Sequence, residues 1–468
     1  MKKLLQVFLL LCLTLGAALP VTAADRAAIM QDKDKIWRDY TRAYFTSIAA
    51  AACVGVYVPD SSSEFSYLRD YGWEIAPHRQ VDGKVETNFA VARNYFAAVG
   101  KEIYLVSFRG SASKADWDIN FKTRQVPFGG AAIGEMESIA KGAADKDTPA
   151  VHEGYNAYVN AVLRSSVVDA AGHLTGVFKR VASAPDTFMV LTGHSLGGAA
   201  ATLLGERLVA LGLPKSKFII ITFGAPAIGN AAFAERYGDA VDLLRITNTA
   251  DPVPGSLQTF FGGYKQFGEN YKYHLSPKIS NFQHDMAMYF DNSISEFFKA
   301  EDSAVAAGVV RSVPYSKVVA GKPLVALWIT SSPGLARHKY VPDIKRFITD
   351  EYRRSLPSYV VMDKAVNVDR LPEREDIMKL SREAGAEYVL LCGIDGKQVR
   401  AGDYWYIALD QALFTADGRM LTMGTFAKKV DPAAGNIQAA GANLLQARSA
   451  LIPHLPVITK HEYSFERQ

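Results

Sequence analysis

Residues 187–205 read TFMVLTGHSLGGAAATLLG. An apolar run leads into Gly-His-Ser-Leu-Gly-Gly at 193–198, and an Ala/Leu-rich helical pattern follows at once. This order of strand, tight turn and helix is the one that a nucleophile elbow requires. Gly193 and Gly197 flank Ser195 where side chains would clash, and the turn aims the following N–H groups at whatever approaches the serine hydroxyl. The pattern predicts that Ser195 is a nucleophile.

A serine hydroxyl is a poor nucleophile at neutral pH, so it needs a base within hydrogen-bond reach and an acid that fixes the tautomer of that base. In folds with a nucleophile elbow the three residues follow in the order Ser, acid, His. Asp251 is the predicted acid, because it follows a strand at 243–247 and lies at the sheet edge that carries Ser195. His284, on a loop that enters a helix, is favoured as the base over His274, which ends a predicted aromatic hairpin at 264–273.

Strand-like and helical segments alternate around the elbow. Strands are predicted at 188–192, 217–223 and 242–247, and helices at 151–163, 199–211 and 231–237. Such alternation predicts a mostly parallel sheet with helices on both faces. Upstream of it we expect a helix at 25–56, an antiparallel hairpin of strands 88–97 and 102–108, and a surface insertion at 129–149 with a short helix at 133–140.

The character of the chain changes near residue 300. We expect a connector at 301–323, which separates a larger α/β domain at 24–300 from a smaller α/β layer domain at 324–468. The second domain has predicted strands at 324–330, 359–362, 387–393, 405–414 and 420–428, and predicted helices at 343–356, 374–384 and 435–452. A length of 468 residues is consistent with two domains.

Residues 1–23 resemble a secretory signal, with Lys2 and Lys3, an apolar run at 4–19 and small residues before Ala24. A membrane anchor is the alternative, but the apolar run is short for a span and ends in a cleavage-like site. Removal of the leader leaves 50 basic and 48 acidic residues. That balance gives no indication of nucleic-acid binding. We therefore expect an exported protein, secreted or periplasmic.

The exported chain keeps two cysteines, Cys53 and Cys392. An oxidising compartment would permit a disulfide, but two buried thiols in different domains are the favoured interpretation. Leu11 before Cys12 is not a small residue, which argues against a lipid-anchored cysteine. No Cys/His spacing indicates zinc, and we expect neither a metal nor a cofactor.

Several motifs together resemble those of the class 3, or fungal-type, lipases of the α/β-hydrolase superfamily. They are FRGS at 108–111, HEGY at 152–155, GHSLGG at 193–198, TFGAP at 222–226, RITN and DPVP between 245 and 254, and the segment 284–289. The similarity covers residues 35–295. It implies an α/β-hydrolase fold acting on lipid carboxylic esters, with Ser195 as nucleophile, Asp251 as acid and His284 as base.

The same resemblance implies that the backbone N–H groups of Ser111 and Leu196 form the oxyanion hole. Removal of one such donor typically costs about a hundredfold or more in rate. The chain departs from the family at Asn120, where an acid often stands; Asp116 and Asp118 are the candidates to replace it.

The leading interpretation is an exported serine hydrolase that cleaves carboxylic esters of lipids, as a triacylglycerol lipase or an esterase. Two alternatives stay open: a phospholipase or acyltransferase with the same triad, and a non-catalytic envelope-binding protein with a vestigial hydrolase domain. The expected partners are a lipid or ester substrate, a membrane surface in transient contact, and an envelope protein bound through residues 324–468. That segment faintly resembles small periplasmic α/β domains.

Overall fold

The computed structural model describes residues 23–97, 100–274, 283–333, 335, 340–363, 372–398, 405–430 and 435–457, with the backbone alone for 23–31, 397–398 and 405. Residues 1–22 of the predicted leader, with Cys12, lie outside these ranges. Within the ranges, none of the helices combines the length and the hydropathy needed to cross a bilayer.

The first half of the chain contains a seven-stranded sheet. Its strands are β1 (Glu74–Asp82), β2 (Val85–Phe96), β3 (Lys101–Phe108), β6 (Thr187–His194), β7 (Phe218–Phe223), β9 (Leu243–Asn248) and β11 (Glu269–Tyr273). They lie in the order β1-β2-β3-β6-β7-β9-β11, with the first three antiparallel and the rest parallel. Because β6 and β9 are parallel, the loops that follow them lie at one sheet edge.

The helices of this half are α1 (Ala23–Gly55), α2 (Ser63–Asp70), α3 (Lys114–Asn120), α4 (Ile133–Ala140), α5 (Glu153–Val162), α6 (Gly176–Ser183), α7 (Leu196–Ala210), α8 (Ala231–Tyr237), α9 (Val253–Phe260) and α10 (Met286–Ala306). A single turn of π-helix at Leu163–Val167 extends α5. Successive residues of β7 point to opposite faces of the sheet. Ile221 packs in the cluster that contains α1 and α10, whereas Ile220 packs in the cluster that contains α5 and α7.

Four short strands form a second, smaller sheet beside the first. They are β4 (Gln125–Pro127), β5 (Ala150–His152), β8 (Gly229–Asn230) and β10 (Tyr264–Lys265), in the order β10-β8-β5-β4. The predicted hairpin at 264–273 is wrong, because β10 pairs with β8 whereas β11 pairs in parallel with β9. Gly268, with φ +76°, makes the turn between the two sheets, and a Cβ there would lie 2.8 Å from the Leu243 carbonyl oxygen.

The last part of the chain builds a mixed six-stranded sheet. Its elements are β12 (Ser316–Lys317), β13 (Val325–Ser331), α11 (Val341–Ser355), β14 (Tyr359–Val361), α12 (Arg374–Ala384), β15 (Tyr388–Gln398), β16 (Trp405–Thr415), β17 (Met420–Val430) and α13 (Asn436–Leu451). The strands lie in the order β12-β14-β13-β15-β16-β17. Helix α12 packs on one face through Ile377 and Leu380, and α11 and α13 pack on the other.

The two large sheets share one apolar core. A single buried cluster contains Ile48 of α1, Ile294 of α10, Ile344 of α11 and Leu444 of α13. Helix α10 passes through residue 300, where a domain boundary is expected, and β12 lies inside the expected connector 301–323. The two halves therefore share a common core, and the segment that connects them between α10 and β13 contains the short strand β12.

Cys53 and Cys392 both belong to this core. Cys53 and Cys392 are free and buried, in agreement with the prediction of two buried thiols. Burial raises the pKa of each thiol to about 12, so both stay protonated and unreactive at neutral pH.

We expect the two halves to unfold together. Leu444→Ala removes a side chain that is 2% exposed, which should cost about 2–5 kcal/mol of unfolding free energy and lower the midpoint of one shared calorimetric transition. Met423→Ala, at a position that is 57% exposed, is the matched control and should change the unfolding free energy by less than about 0.5 kcal/mol. Two separate transitions, with only one moved by Leu444→Ala, would contradict a shared core.

Candidate active site

Ser195 stands in the turn between β6 and α7. Its backbone has φ +56° and ψ −123°, and among the described residues no other non-glycine residue has positive φ. The Ser195 N–H donates to the Phe223 carbonyl at 2.9 Å. A Cβ at Gly193 would clash with the backbone of Gly197, and a Cβ at Gly197 would clash with the Phe108 carbonyl. The two glycines therefore let the surrounding backbone close in and hold the strained serine.

One imidazole connects the serine to a carboxylate. His284 Nδ1 donates to Asp251 Oδ2 at 2.8 Å, and His284 Nε2 accepts from Ser195 Oγ at 2.9 Å. The Asp251 side chain is fully buried, and that of His284 is 28% exposed. The structure thus brings these three sequence-predicted residues together, whereas His274 lies exposed after the end of β11.

Two further donors orient the carboxylate of Asp251. The Tyr289 hydroxyl donates to Oδ2 at 2.6 Å, and the Val253 N–H donates to Oδ1 at 2.9 Å. Burial, with the Asp251 charge as the second cause, raises the pKa of Tyr289 well above its ordinary value. The hydroxyl therefore stays protonated as a donor, and the carboxylate is fixed in the direction of His284.

Gly224 leaves the space in which these groups meet. Its φ is +56°, and a Cβ there would lie 2.8 Å from Asp251 Oδ2, 3.0 Å from the Tyr289 hydroxyl and 3.1 Å from His284 Nδ1. The TFGAP turn after β7 therefore lines the site.

The side chain of His194, the residue before Ser195, is hydrogen-bonded to the backbone of His284. His194 Nε2 donates to the His284 carbonyl at 2.7 Å, and its Nδ1 accepts from the Tyr57 hydroxyl at 2.9 Å. The two imidazole centroids are 4.6 Å apart. Burial lowers the pKa of His194 well below its ordinary value, so the ring stays neutral with its proton on Nε2. The sequence around His194 does not indicate this role, because its partners Tyr57 and His284 lie 137 and 90 positions away in the chain.

The loop before α3 is organised by Asp116. Its Oδ2 accepts from the backbone N–H groups of Ala112 and Ser113 at 2.9 and 2.8 Å, and from the Ser113 hydroxyl at 2.9 Å. Arg109 forms an ion pair with the same oxygen at 3.1 Å. Of the two acids expected to support this loop, Asp116 is the buried one that does so, and Asp118 is exposed.

Asn120 supports the loop from its other end. Its Nδ2 donates to the Ser111 hydroxyl at 2.8 Å. Gly110 lets the loop approach the elbow, since a Cβ there would lie 2.7 Å from the His194 carbonyl oxygen. Within the described part of the chain, no backbone carbonyl accepts from the N–H of Ser111 or of Leu196, the first residue of α7. Both N–H groups are therefore available to a ligand oxygen.

In the ranges that the structure describes, no cluster of three or more His, Cys, Asp or Glu side chains has an arrangement that could hold a metal ion.

The sheet topology and the strained strand–turn–helix around Ser195 define the first half of the chain as an α/β-hydrolase, followed by a smaller α/β layer. Residues 105–260 match the family model described as Lipase (class 3).

Two groups of relatives match parts of the chain. Phospholipase A1 EG1, chloroplastic/mitochondrial, of Oryza sativa subsp. indica is 30% identical over 170 residues, which is 33% of this chain and 36% of that protein. Secreted mono- and diacylglycerol lipase A of Penicillium cyclopium is 37% identical over 91 residues, which is 19% of this chain and 29% of that protein. The chain thus spans about a third of the length of these relatives.

Solved structures of fungal lipases are also similar. The Rhizomucor miehei triacylglyceride lipase matches with 21% identity and a TM-score of 0.37, covering 52% of this chain and 80% of that one. The lipase of Rhizopus microsporus var. chinensis matches with 23% identity and a TM-score of 0.37, covering 50% of this chain and 74% of that one.

Gly224→Ala should disable the site without unfolding the protein. The added methyl group would lie within contact of Asp251 and His284, and displacement of such groups by about 1 Å can cost about a hundredfold in rate. We expect that loss in the labelling of Ser195 by a fluorophosphonate. Gly255→Ala, on α9 with open space around its Cβ, is the control and should label like the wild type. Equal labelling of both variants would show that Gly224 does not shape the site.

Proposed function

We propose that this protein is an exported serine hydrolase that cleaves carboxylic ester bonds of lipids through Ser195, His284 and Asp251. The observation that carries the proposal is the position of the His284 imidazole, 2.9 Å from the Ser195 hydroxyl and 2.8 Å from the Asp251 carboxylate. The class 3 lipase segment at 105–260 supports the ester-hydrolase class.

In the proposed reaction, His284 Nε2 takes the proton from Ser195 Oγ while that oxygen attacks the acyl carbon of the ester. Asp251 keeps the imidazole in the tautomer that accepts at Nε2 and stabilises the imidazolium that forms. The buried donors to Asp251 matter here, because a carboxylate that rotated away would release the ring from this tautomer.

The charge that develops on the carbonyl oxygen is received by the N–H groups of Ser111 and Leu196, which lack backbone acceptors in the described chain. The imidazolium then gives its proton to the leaving alcohol, and the acyl group stays on Ser195. Water deprotonated by His284 attacks the acyl-enzyme, which releases the carboxylic acid and restores the serine.

Phospholipase A1 activity is the second candidate, and the relatives favour it. Four of the matching plant proteins are named as phospholipases A1, whereas fungal ones are named as mono- and diacylglycerol lipases. Both reactions use the same triad and differ in the head group, so the residues above serve either one.

Ser195→Ala should abolish hydrolysis of activated acyl esters, with a loss of at least about a thousandfold, because no other group replaces the nucleophile. Ser183→Ala, an exposed serine on α6 whose hydroxyl bonds to its own helix, is the control and should keep full activity.

A wild-type protein that neither hydrolyses esters nor reacts with a fluorophosphonate would instead favour the vestigial, envelope-binding alternative. With an active wild type, a comparison of triacylglycerol and phosphatidylcholine distinguishes a lipase from a phospholipase. Transfer of the acyl group to an added alcohol, in preference to water, would identify an acyltransferase.

We also propose export, since residues 1–23 resemble a secretory signal. Fungal relatives described as secreted support it, while some plant relatives are described as chloroplastic.

Exposed aromatic side chains are the basis for a proposed contact with a lipid surface. Phe260 and Phe261 at the end of α9 are 77% and 57% exposed, and Trp117 and Phe121 around α3 are 53% and 72% exposed. Helix α3 follows Ser111 and α9 follows Asp251, so the two aromatic pairs flank the site in sequence. Large aromatic groups exposed in this way are typical of surfaces that insert into the lipid headgroup region.

The double variant Phe260→Ser/Phe261→Ser should bind phospholipid vesicles about tenfold more weakly, because two apolar rings no longer leave water. Hydrolysis of a soluble short-chain ester should change little. Tyr95→Ser, at a position on β2 that is 62% exposed, is the matched control and should bind vesicles like the wild type. Unchanged vesicle binding in the double variant would remove these phenylalanines from the contact.

A further inference from the structure

A carboxylate on the last helix of the first half caps a helix of the second half. Asp291 on α10 is fully buried, and it accepts from the first three N–H groups of α13: Asn436 at 2.6 Å, Ile437 at 3.0 Å and Gln438 at 3.2 Å. These N–H groups have no carbonyl partner inside their own helix, and the positive end of the helix dipole favours a negative charge there. The contact joins residues 145 to 147 positions apart in the chain.

The second half is shaped to admit this carboxylate. A Cβ at Gly435, the residue before α13, would lie 2.6 Å from Asp291 Oδ2 and 2.7 Å from Oδ1. Its φ is −69°, which any residue adopts, so the requirement for glycine is one of space. Among the described residues, Asp291 forms no ion pair. Burial raises the pKa of Asp291 to about 7, and the hydrogen bonds from α13 oppose that shift.

Asp291 and Tyr289, the residue that donates to Asp251, lie on opposite faces of α10. Two residues along an α-helix are about 200° apart around its axis. Tyr289 therefore faces the sheet, where its hydroxyl donates to Asp251 at 2.6 Å and accepts from the Asn248 N–H at 3.1 Å. Asp291 faces α13. Helix α10 is thus held on one side by the acid of the triad and on the other side by the second half of the chain.

We propose that Asp291 is a positioning residue: by fixing α10 against α13, it holds Tyr289 and the adjoining His284 in the geometry that activates Ser195. This inference rests on the proposed function. The proposal gives the second half of the chain a role in the reaction, because α13 supplies the surface against which α10 packs. A displaced α13 would leave a buried carboxylate without donors, which is costly, so the two halves are coupled through this contact.

The test compares five full-length variants by kcat and KM on a soluble ester and by thermal midpoint. Asp291→Ala removes the acceptor, and Gly435→Ala blocks it from the other side. We expect both to lower kcat at least tenfold with KM changed less than twofold. Asp291→Asn keeps one acceptor oxygen and should recover part of the kcat lost in Asp291→Ala.

Ser295→Ala is the control, since it breaks the Ser295–Asp343 hydrogen bond between α10 and α11, one turn further along α10. It should lower the thermal midpoint while keeping kcat within twofold of the wild type. The double variant Asp291→Ala/Gly435→Ala should lose no more activity than the stronger single variant, because both changes break one contact.

Several results would overturn the proposal. Wild-type kcat in folded Asp291→Ala and Gly435→Ala would do so, as would equal losses in Ser295→Ala. If Asp291→Ala does not fold, Gly435→Ala and Asp291→Asn supply the same comparison, and failure of all three to fold assigns Asp291 a purely structural role. An inactive wild type refutes the proposed function first, and the positioning role falls with it.

Discussion

The site depends on one imidazole held between two hydrogen bonds. His284 is fixed by the Asp251 carboxylate through its ring and by His194 through its carbonyl, and only then does its Nε2 reach the Ser195 hydroxyl. Asp251 and His194 lie 33 and 90 positions away from His284 in the chain. The packing of whole helices and strands therefore sets the distance between His284 Nε2 and the Ser195 hydroxyl, which proton transfer requires to within a fraction of an ångström. The strained φ of Ser195 belongs to the same constraint, since it directs the hydroxyl to that ring.

The parts of this arrangement that are local in sequence were predictable. Glycines around Ser195, the apolar run before it and the thin helix after it define the elbow without any tertiary information. The helix predicted at 374–384 is observed at Arg374–Ala384, and the one predicted at 133–140 at Ile133–Ala140, because hydrophobic periodicity is itself local. The order Ser, acid, His along the chain left His274 and His284 as candidates for the base, and the loop that enters a helix favoured His284.

What sequence reasoning missed is long-range. The run 264–273 alternates like a hairpin, but its two strands enter different sheets because Gly268 turns the chain between them. The pairing of His194 with Tyr57 joins residues 137 positions apart, and nothing near either residue in a single sequence indicates it. The same holds for Asp291. Its sequence context is that of any acidic residue in a helix, and its contact is with a helix that begins 145 positions later.

The common core of the two sheets has a consequence for how this chain is divided. The family match ends at residue 260, so it omits both His284 and the helix α10 that supports it, as well as α1, which covers one face of the sheet. The segment that matches the family model is therefore shorter than the unit that shares one core. Transfer of residues 105–260 alone to another scaffold, or exchange of the terminal region with that of a relative, would expose apolar faces that each half now covers in the other.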